Sequence, residues 1–530
     1  MIPDPPSVPN PQNLVPRTFL LVVILVSLSL VALFLRVWQL DLRPMHHDEA
    51  NQAVRTGILL ETGTYHYDPE DHHGPTLYYV SLPLAWLTAG RDFSKTTELT
   101  FRLVPALFGV ALIPMLFFLR RGITVPALAF AGVLTAVSPA MVYYSRFYIQ
   151  EMLLVFFTFA AIISGWLYLS KPSAGKAFLT GTCLGLMFAT KETSVLAYFA
   201  MAAGMAAVAA TDLNAARSKL STLPWRHLAW VILGALGVVM VLFSSFFTHP
   251  RGLWDIARSV HVYMSRGFSE SFHLHPWYFY LKALLYTHEA RGPLWTEGYI
   301  LAFAAVGAIF AWRQRPASAG NAPLVRFLSV YTAVLTLVYS AIPYKTPWSM
   351  ISFHHGFILL AGFGAAAAVT ATRGAARLLA AALLAASFIH LAWLSAQANF
   401  KYFTDPGNPY VYAQTTSDFL SLIRRVEQIA EVTPEGRGML IEVIADPYSM
   451  WPLPWYLRGF SRVGYWEEAE QVPKEAVPAV LITTPEMQPK LGKLDDRFQV
   501  EFYGLRPGVF LLMCIRSDLW ERFIETRRVD

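Results

Sequence analysis

Long apolar runs separated by short polar loops occupy most of the first 400 residues of the chain. They lie at about residues 17–35, 101–119, 123–143, 149–169, 177–190, 193–210, 228–247, 297–312, 325–342, 350–370 and 377–397. Most match the roughly 20 residues that an α-helix needs to cross about 30 Å of hydrocarbon, whereas 177–190 and 297–312 are short. The pattern predicts an α-helical polytopic membrane protein with about eleven transmembrane helices.

A different pattern begins near residue 398. Short runs rich in β-branched and aromatic residues, separated by Pro, Gly and charged residues, are typical of strands in a small α/β domain. These runs are residues 439–445, 479–484, 498–504 and 509–515. We therefore predict a soluble C-terminal α/β domain at residues 398–530, following a transmembrane domain at 17–397. The proline-rich residues 1–16 are predicted to be a disordered cytoplasmic leader.

Composition and charge agree with a membrane protein. Of the 530 residues, 55% are hydrophobic and 15% are charged. Residues 1–400 hold 27 basic and 17 acidic side chains, whereas residues 401–530 hold 15 basic and 19 acidic ones. A basic excess around membrane spans is what the positive-inside rule produces, so the net charge of +6 does not indicate a nucleic-acid partner.

Basic residues fall in alternate loops, which gives the chain an orientation. They are Arg17; Arg120 and Arg121; Lys171 and Lys176; Arg217, Lys219 and Arg226; Arg313, Arg315 and Arg326; and Arg373 and Arg377. Loops of this kind face the cytoplasm. The N-terminus is then cytoplasmic, while residues 36–100, residues 248–296 and the tail are extracytoplasmic. Residues 76–90 are apolar but short, and we predict a helix lying against the membrane interface there.

The first outer loop contains an unusual density of titratable residues. Residues 45–79 hold five histidines and six acidic residues. Asp48 and Glu49 follow Pro44 and begin a helical pattern, so the helix dipole favours their ionised forms. Taken alone, this pair equally fits two ordinary helix-start residues in a solvated loop.

Further ionisable residues lie at the outer ends of the predicted spans, namely Arg146, Glu151, Lys191, Glu192 and Lys345. Such groups are costly at membrane depth unless they are paired or line a wet cavity. Each by itself also fits an ion-paired or snorkelling residue at a helix end. Together they predict a polar cavity at the outer leaflet, suited to a sugar linked through phosphate to a lipid.

Histidine doublets raise the question of a metal. His46, His47 and His72, together with Asp48 or Glu49, are a possible ligand set for a divalent ion such as Zn²⁺ or Mn²⁺. Adjacent residues on a helix rarely both bind one ion, however, and the chain lacks an HxxxH or HExxH spacing. A metal site and histidines that only line a polar cavity both stay open, and no cofactor is required.

Taken in order, these motifs resemble those of the GT-C membrane glycosyltransferases, in particular protein O-mannosyltransferases and lipid A aminoarabinose transferase. The matching segments cover roughly residues 20–200 and are HHDEANQA, HGPTLYYVSLPLAWL, FRLVPALFGVALIPMLFFLRR, SRFYIQEMLL and FATKETS. A closer resemblance, which extends through PYKTPW and WPLPWYLRG, is to the prokaryotic "flippase activity-associated" proteins.

The resemblance implies a role for each matching residue. Asp48 would be the catalytic base, Glu49 its neighbour that orients an acceptor or a metal, and Glu151 the second acidic residue. The implied substrate-binding residues are Arg146, Lys191 and Lys345 as phosphate holders, with His73 and Glu192. His73 stands where the family has a lysine, and because histidine is only partly charged near neutrality, this departure weakens phosphate binding there.

The implied function is that of an integral membrane glycosyltransferase. It would move a sugar from a polyprenyl-phosphate-linked donor to a lipid, glycan or protein acceptor on the outer face of the cell membrane. The alternatives are a flippase or transporter component for lipid-linked sugars and a non-catalytic subunit of an envelope glycan assembly complex. Transporters place ionisable residues near the midplane, so charges gathered at the outer edge favour the enzyme.

Overall fold

The structure is a computed structural model that describes residues 14–70, 73–266, 273–289, 292–313, 321–473, 477–491 and 497–527. The helices before residue 250 are α1 (Leu14–Val37), α2 (His47–Thr62), α3 (Thr76–Ala89), α4 (Glu98–Met115), α5 (Val125–Val137), α6 (Pro139–Ser145), α7 (Glu151–Ser170), α8 (Ala174–Thr190), α9 (Ser194–Thr211), α10 (Leu213–Ser221) and α11 (Arg226–Phe243). Those that follow, up to residue 400, are α12 (Gly252–Arg266), α13 (Phe279–Leu285), α14 (Gly298–Trp312), α15 (Ala322–Ala341), α16 (Ile351–Ala371) and α17 (Gly374–Ala396).

Every apolar run of the sequence is helical, which confirms the predicted fold class of a multi-pass helical membrane protein. Within the described residues, eight helices are long and apolar enough to cross a membrane, or nine if the bent pair α5 and α6 crosses as one span. The two runs that are short in the sequence form α8 and α14, with 17 and 15 residues. The predicted number of eleven spans is not confirmed by this count and stays a prediction.

Proline explains the break between α5 and α6. The two helices meet at an angle of 56°, and Pro139 is the first residue of α6. A proline has no N–H for the helical ladder, so the preceding helix ends before it. The hydroxyl of Ser138 caps the new helix by accepting the N–H of Met141 at 3.3 Å. The bend turns α6 toward the loops that carry the candidate site.

Glycine is required at two positions around the first outer loop. Gly63 has φ +71°, a left-handed conformation that lets α2 end there. Gly74 precedes α3, and a Cβ at this position would lie 2.3 Å from the carbonyl oxygen of Ala189 at the end of α8. Only glycine allows this approach, which brings the loop before α3 onto the C-terminal end of α8. Residues 76–89 do form the predicted helix, while its position at the membrane interface stays a prediction.

The tail folds as a small α/β domain. Its strands are β1 (Ile441–Ile444), β2 (Val463–Trp466), β3 (Val480–Thr483), β4 (Phe498–Arg506) and β5 (Val509–Arg516), in the sheet order β2-β1-β3-β5-β4. Strand β1 is parallel to β2 and β3, whereas β5 is antiparallel to β3 and β4. The helices are α18 (Phe419–Val432), α19 (Pro447–Met450), α20 (Leu453–Tyr456) and α21 (Ser517–Glu525). The sequence misses β2 because this half-buried edge strand contains Gly464, a residue depleted in strands.

The tail packs on the first outer loop through hydrogen bonds to the backbone before α2. The N–H of Met45 donates to the Tyr456 hydroxyl at 2.9 Å, and its carbonyl accepts from Thr415 at 2.7 Å. The side chain of Gln414 donates to the carbonyl of Pro44 at 2.9 Å. The start of α2 is therefore held on one side by the helical body and on the other by the tail.

Candidate functional site

His46 begins α2 and is fixed by two hydrogen bonds. Its Nδ1 accepts the N–H of Asp48 at 3.0 Å, and its Nε2 lies 3.1 Å from the carbonyl oxygen of Tyr412. A carbonyl only accepts, so Nε2 carries the proton and the ring is neutral. Burial lowers the pKa of His46 to about 4 despite the nearby carboxylate of Asp48. His46 is thus a helix cap that joins the start of α2 to the tail.

Glu49 is fully buried and fully hydrogen-bonded. Its carboxylate accepts from Nε and Nη2 of Arg102, both at 2.7 Å. The backbone N–H groups of Tyr148 and His46 add two further bonds, at 2.9 and 3.1 Å. Burial raises the pKa of Glu49, but Arg102 outweighs it and lowers the pKa to about 2. The expected role in orienting an acceptor or a metal is not supported by this geometry, because all the lone pairs of Glu49 are used to hold the loop.

Asp48 has the opposite environment. Its side chain is 39% exposed, and within the described residues its carboxylate oxygens accept no hydrogen bond. Desolvation raises the pKa of Asp48, but the surrounding His46, His47, His73 and Lys191 together lower it below its ordinary value. Asp48 is therefore an ionised carboxylate that can accept a proton from a bound molecule.

Glu151 and Lys191 form a buried ion pair beside Asp48. Glu151 is the first residue of α7, and Lys191 lies in the turn between α8 and α9. Burial lowers the pKa of Lys191, but Glu151 raises it more strongly, so the ammonium stays charged. Because each charge has a partner, this pair adds little net charge beside Asp48.

His73 and Glu192 form a second pair at the same place. Nδ1 of His73 lies 3.0 Å from Oε2 of Glu192, and the Tyr67 hydroxyl donates to Oε1 at 3.1 Å. Their side chains are 27% and 11% exposed, so the pair is partly accessible. Asp48, Glu151, Lys191, His73 and Glu192 thus lie close together near the N-terminal ends of α2 and α7, while their roles stay predictions.

Lys345 is a buried cation whose hydrogen bonds go only to carbonyl oxygens in the described part of the chain. Its Nζ donates to the carbonyls of His275, at 3.1 Å, and Ile342. Its backbone N–H donates to the carbonyl of His273 at 2.9 Å, so the turn before α16 pairs with the second outer loop. Burial lowers the pKa of Lys345, and no carboxylate among the described residues opposes this. One N–H of the ammonium remains for an anion.

Arg146 does not join this cluster. Its guanidinium donates to the carbonyls of Arg36, Trp38 and Gln39 at 3.1, 2.7 and 2.7 Å, where α1 ends. Cations satisfy the exposed carbonyls of a helix C-terminus and the negative end of its dipole. The geometry of Arg146 is that of a helix cap, and its expected phosphate-holding role stays a prediction.

The predicted metal site stays a prediction. Both ring nitrogens of His46 already make hydrogen bonds to the protein, and His72 lies outside the described residues. Among the residues that are described, no group of three or more His, Cys, Asp or Glu side chains is arranged to hold an ion. The ring of His47 lies 5.9 Å from that of Tyr448 and 6.0 Å from that of Trp451. We therefore derive no step through a metal.

Two buried charged residues at the site were missed by the sequence analysis. Arg102 stands in the quoted FRLVPALF segment, where a cation inside an apolar run is a signal for a buried partner. Glu297 immediately precedes α14. Its carboxylate accepts a hydrogen bond from the Tyr410 hydroxyl at 2.8 Å and lies 3.0 Å from Nε2 of His354. Glu297 thereby fixes the segment that carries Tyr412, the partner of His46. Glu297 stands outside every motif quoted above, so the sequence does not indicate this role.

Comparison with known proteins identifies the fold. Residues 26–251 match the family model of dolichyl-phosphate-mannose-protein mannosyltransferase, a range that includes Asp48, Glu151 and Lys191. No curated protein matches the chain in a sequence search.

Solved structures resemble the chain over almost its whole length. ArnT from Cupriavidus metallidurans in the apo state has a TM-score of 0.62 at 16% identity, covering 93% of this chain and 97% of ArnT. The oligosaccharyltransferase AglB from Archaeoglobus fulgidus has a TM-score of 0.56 at 13% identity, covering 95% of this chain and 77% of AglB. The resemblance to "flippase activity-associated" proteins stays a prediction. ArnT and AglB therefore share the fold of this chain.

Proposed function

We propose that this protein transfers a sugar from a polyprenyl-phosphate donor to an acceptor hydroxyl outside the membrane. The observation that carries the proposal is the environment of Asp48, an ionised and partly exposed carboxylate surrounded by cationic and histidine side chains. The family match covers Asp48. Further support comes from ArnT bound to undecaprenyl phosphate and AglB in complex with a dolichol-phosphate, both of which share this fold.

Asp48 acts as the general base in this reaction. It takes the proton of the acceptor hydroxyl while the hydroxyl oxygen forms a bond to the anomeric carbon. The bond from that carbon to the phosphate oxygen breaks, and the polyprenyl phosphate leaves with the electron pair. Attack opposite the leaving phosphate inverts the anomeric configuration. The acceptor is a lipid, glycan or protein.

Lys345 holds the donor phosphate. It is buried, lacks a carboxylate partner in the described part of the chain and keeps one N–H for an anion. In a site of low dielectric, attraction between an ammonium and a phosphate is stronger than in water. Lys191 is less suited to this task because Glu151 neutralises it. The Glu151–Lys191 pair instead supports the wall beside Asp48.

The site faces the outside of the cell membrane. This orientation follows from the basic residues in alternate loops, which put the N-terminus in the cytoplasm and the tail outside. The two outer loops and the tail meet around Asp48 and His46, so the reaction takes place on one side of the membrane.

The decisive experiment is an assay of the purified protein with labelled polyprenyl-phosphate sugars. Transfer to an added acceptor, or slow hydrolysis of the donor by water, is expected. A lipid-scrambling assay in liposomes, performed on the same preparation, tests the flippase alternative. Scrambling of the labelled lipid without any release of its sugar would contradict the proposed function and support the transporter.

A further inference from the structure

The tail carries a buried arginine at the edge of the candidate site. Arg506 ends strand β4 and is 5% exposed. Its Nη2 donates to the carbonyls of Tyr448 and Trp451, the latter at 3.2 Å, and its guanidinium lies 3.8 Å from the centre of the Tyr448 ring. Its Nε is buried and has no hydrogen-bond acceptor among the described residues. The described residues therefore use only part of the hydrogen-bonding capacity of this guanidinium.

Arg506 lies beside the start of α2, which carries Asp48. It contacts Tyr448 and Trp451. The centres of their rings lie 5.9 and 6.0 Å from the centre of the His47 ring. His47 precedes Asp48, and Asp48 lies within electrostatic range of the Arg506 guanidinium. The tail thus places a cation and two aromatic rings next to the proposed base.

The charge of Arg506 has no partner at ion-pair distance in the described part of the chain. The carboxylates that interact electrostatically with it are Asp446 and Asp48. Asp446 is exposed and caps α19 by accepting the N–H groups of Tyr448 and Ser449 at 2.9 and 3.1 Å. A buried guanidinium without an ion pair carries a desolvation cost that an incoming anion offsets.

We propose that Arg506, with the rings of Tyr448 and Trp451, forms an acceptor subsite for a sugar that carries an anionic group. The inference rests on the proposed function, since it assigns the hydroxyl that Asp48 deprotonates to this acceptor. The guanidinium binds a carboxylate or phosphate of the acceptor through charge-assisted hydrogen bonds. The aromatic rings contact the apolar face of the sugar. The cation for the donor, Lys345, belongs to the helical body, so donor and acceptor anions are bound by different parts of the chain.

A second arginine of the tail offers a matched control. Arg458 also donates to two carbonyls, those of Trp455 at 2.6 Å and Thr96 at 2.5 Å, and lies 3.6 Å from the centre of the Trp455 ring. It also has a buried Nε without a described partner. Its neighbouring carboxylate is Glu98 rather than Asp48. Replacing Arg458 therefore removes a similar structural contact at a different place.

The test measures sugar binding to the full-length protein in detergent without any donor. Saturation-transfer NMR titrations compare glucose with glucuronate and with glucose 6-phosphate, which separate the carboxylate from the phosphate. We expect at least one anionic sugar to bind about tenfold more tightly than glucose, as one charge-assisted contact provides. Arg506→Met and Arg506→Gln should remove this preference, and the amide of Gln can still donate to the Tyr448 or Trp451 carbonyl.

Arg458→Met and Lys345→Met should keep the preference. Equal binding of all three sugars to the parent would overturn the proposal, as would a preference that survives in a folded Arg506 variant. A preference lost in Lys345→Met but kept in Arg506→Met would assign the anion to the donor site and also overturn it. Because no donor is present, these results are independent of whether the protein transfers or scrambles labelled lipid.

Discussion

At the scale of single residues, two adjacent carboxylates have different tasks. Glu49 is buried and accepts four hydrogen bonds, two of them from Arg102. Asp48 is 39% exposed and accepts none from the described residues. The helical turn explains the difference, because neighbouring residues of a helix point about 100° apart. One carboxylate therefore faces the packed interior while the other is partly exposed.

The first prediction concerns the base. Asp48→Asn should lower the transfer rate by about 10² to 10⁴ because the amide cannot accept the acceptor proton. The melting temperature should stay close to that of the parent, since the lost carboxylate makes no described hydrogen bond. Rates from the labelled-donor assay, with thermal melting in the same detergent, check both parts. Glu61→Gln, an exposed change on the same helix, is the control, and a rate for Asp48→Asn within about threefold of it would remove the assignment.

Glu49→Gln is expected to act through stability instead. Breaking a buried ion pair by removing one partner costs about 3–5 kcal/mol, because the remaining charge of Arg102 stays buried without compensation. The variant should unfold at a clearly lower temperature or denaturant concentration than Asp48→Asn. Equilibrium unfolding of the two variants side by side makes the comparison. A stable but inactive Glu49→Gln protein would show that Glu49 takes a direct part in catalysis after all.

Lys345 separates the proposed donor site from a purely structural lysine. Lys345→Met should weaken the binding of a polyprenyl-phosphate sugar, while Lys345→Arg should retain part of the affinity because the positive charge remains. Donor titrations of both variants provide the measurement. Unchanged donor affinity of Lys345→Met, together with poorer membrane insertion, would leave Lys345 as an anchor of the turn before α16.

At the scale of elements, the apolar runs of the sequence are sufficient to locate the helices but not the contacts between them. The sequence predicts the helix start at Asp48 and Glu49 and the outer cluster around Lys191. It cannot reveal that Arg146 caps the end of α1, because that contact joins residues 107 to 111 positions apart. The same applies to Glu49, whose partner Arg102 is 53 residues away. Residue type and depth predict that a charge needs a partner, but only the packing of the helices decides which one.

The cap of α2 gives a prediction about acidic pH. Because burial lowers the pKa of His46 from its ordinary value near 6.5 to about 4, the unfolded chain takes up a proton at a higher pH than the folded protein. The stabilisation that neutral His46 provides is complete above about pH 6.5 and is lost as the pH falls toward about 4. His46→Asn, which keeps a helix-capping side chain but does not titrate, should flatten this part of the profile.

Melting temperatures of the parent and His46→Asn, measured from about pH 7 to about pH 4.5, test this difference. His66→Asn removes an exposed histidine from the same loop and should leave the profile of the parent unchanged. Parallel profiles for the parent and His46→Asn would mean that His46 is not held neutral by the fold.

At the scale of the whole molecule, the site exists only because distant parts of the chain meet on one side. The carbonyl of Tyr412 holds His46, and the Tyr412 hydroxyl lies 2.8 and 3.2 Å from ring nitrogens of His273 and His275. The second outer loop, the tail and the start of α2 are thus joined at one residue. Burial lowers the pKa of His273 to about 4, so this junction is neutral at physiological pH. Neutral side chains therefore surround the few charged residues near Asp48.

The last prediction concerns the side of the membrane on which this assembly lies. The two native cysteines, Cys183 and Cys514, are buried and free, so single introduced cysteines report their own accessibility. Glu427 lies on α18 of the tail with a half-exposed side chain, and Ser218 lies on α10, between spans whose loop is predicted to be cytoplasmic. In intact cells, a membrane-impermeant maleimide should label Glu427→Cys and should label Ser218→Cys only after lysis, because charged reagents do not cross the bilayer. Labelling of Ser218→Cys in intact cells, with Glu427→Cys protected until lysis, would reverse the orientation and move Asp48 with the whole site to the cytoplasmic face.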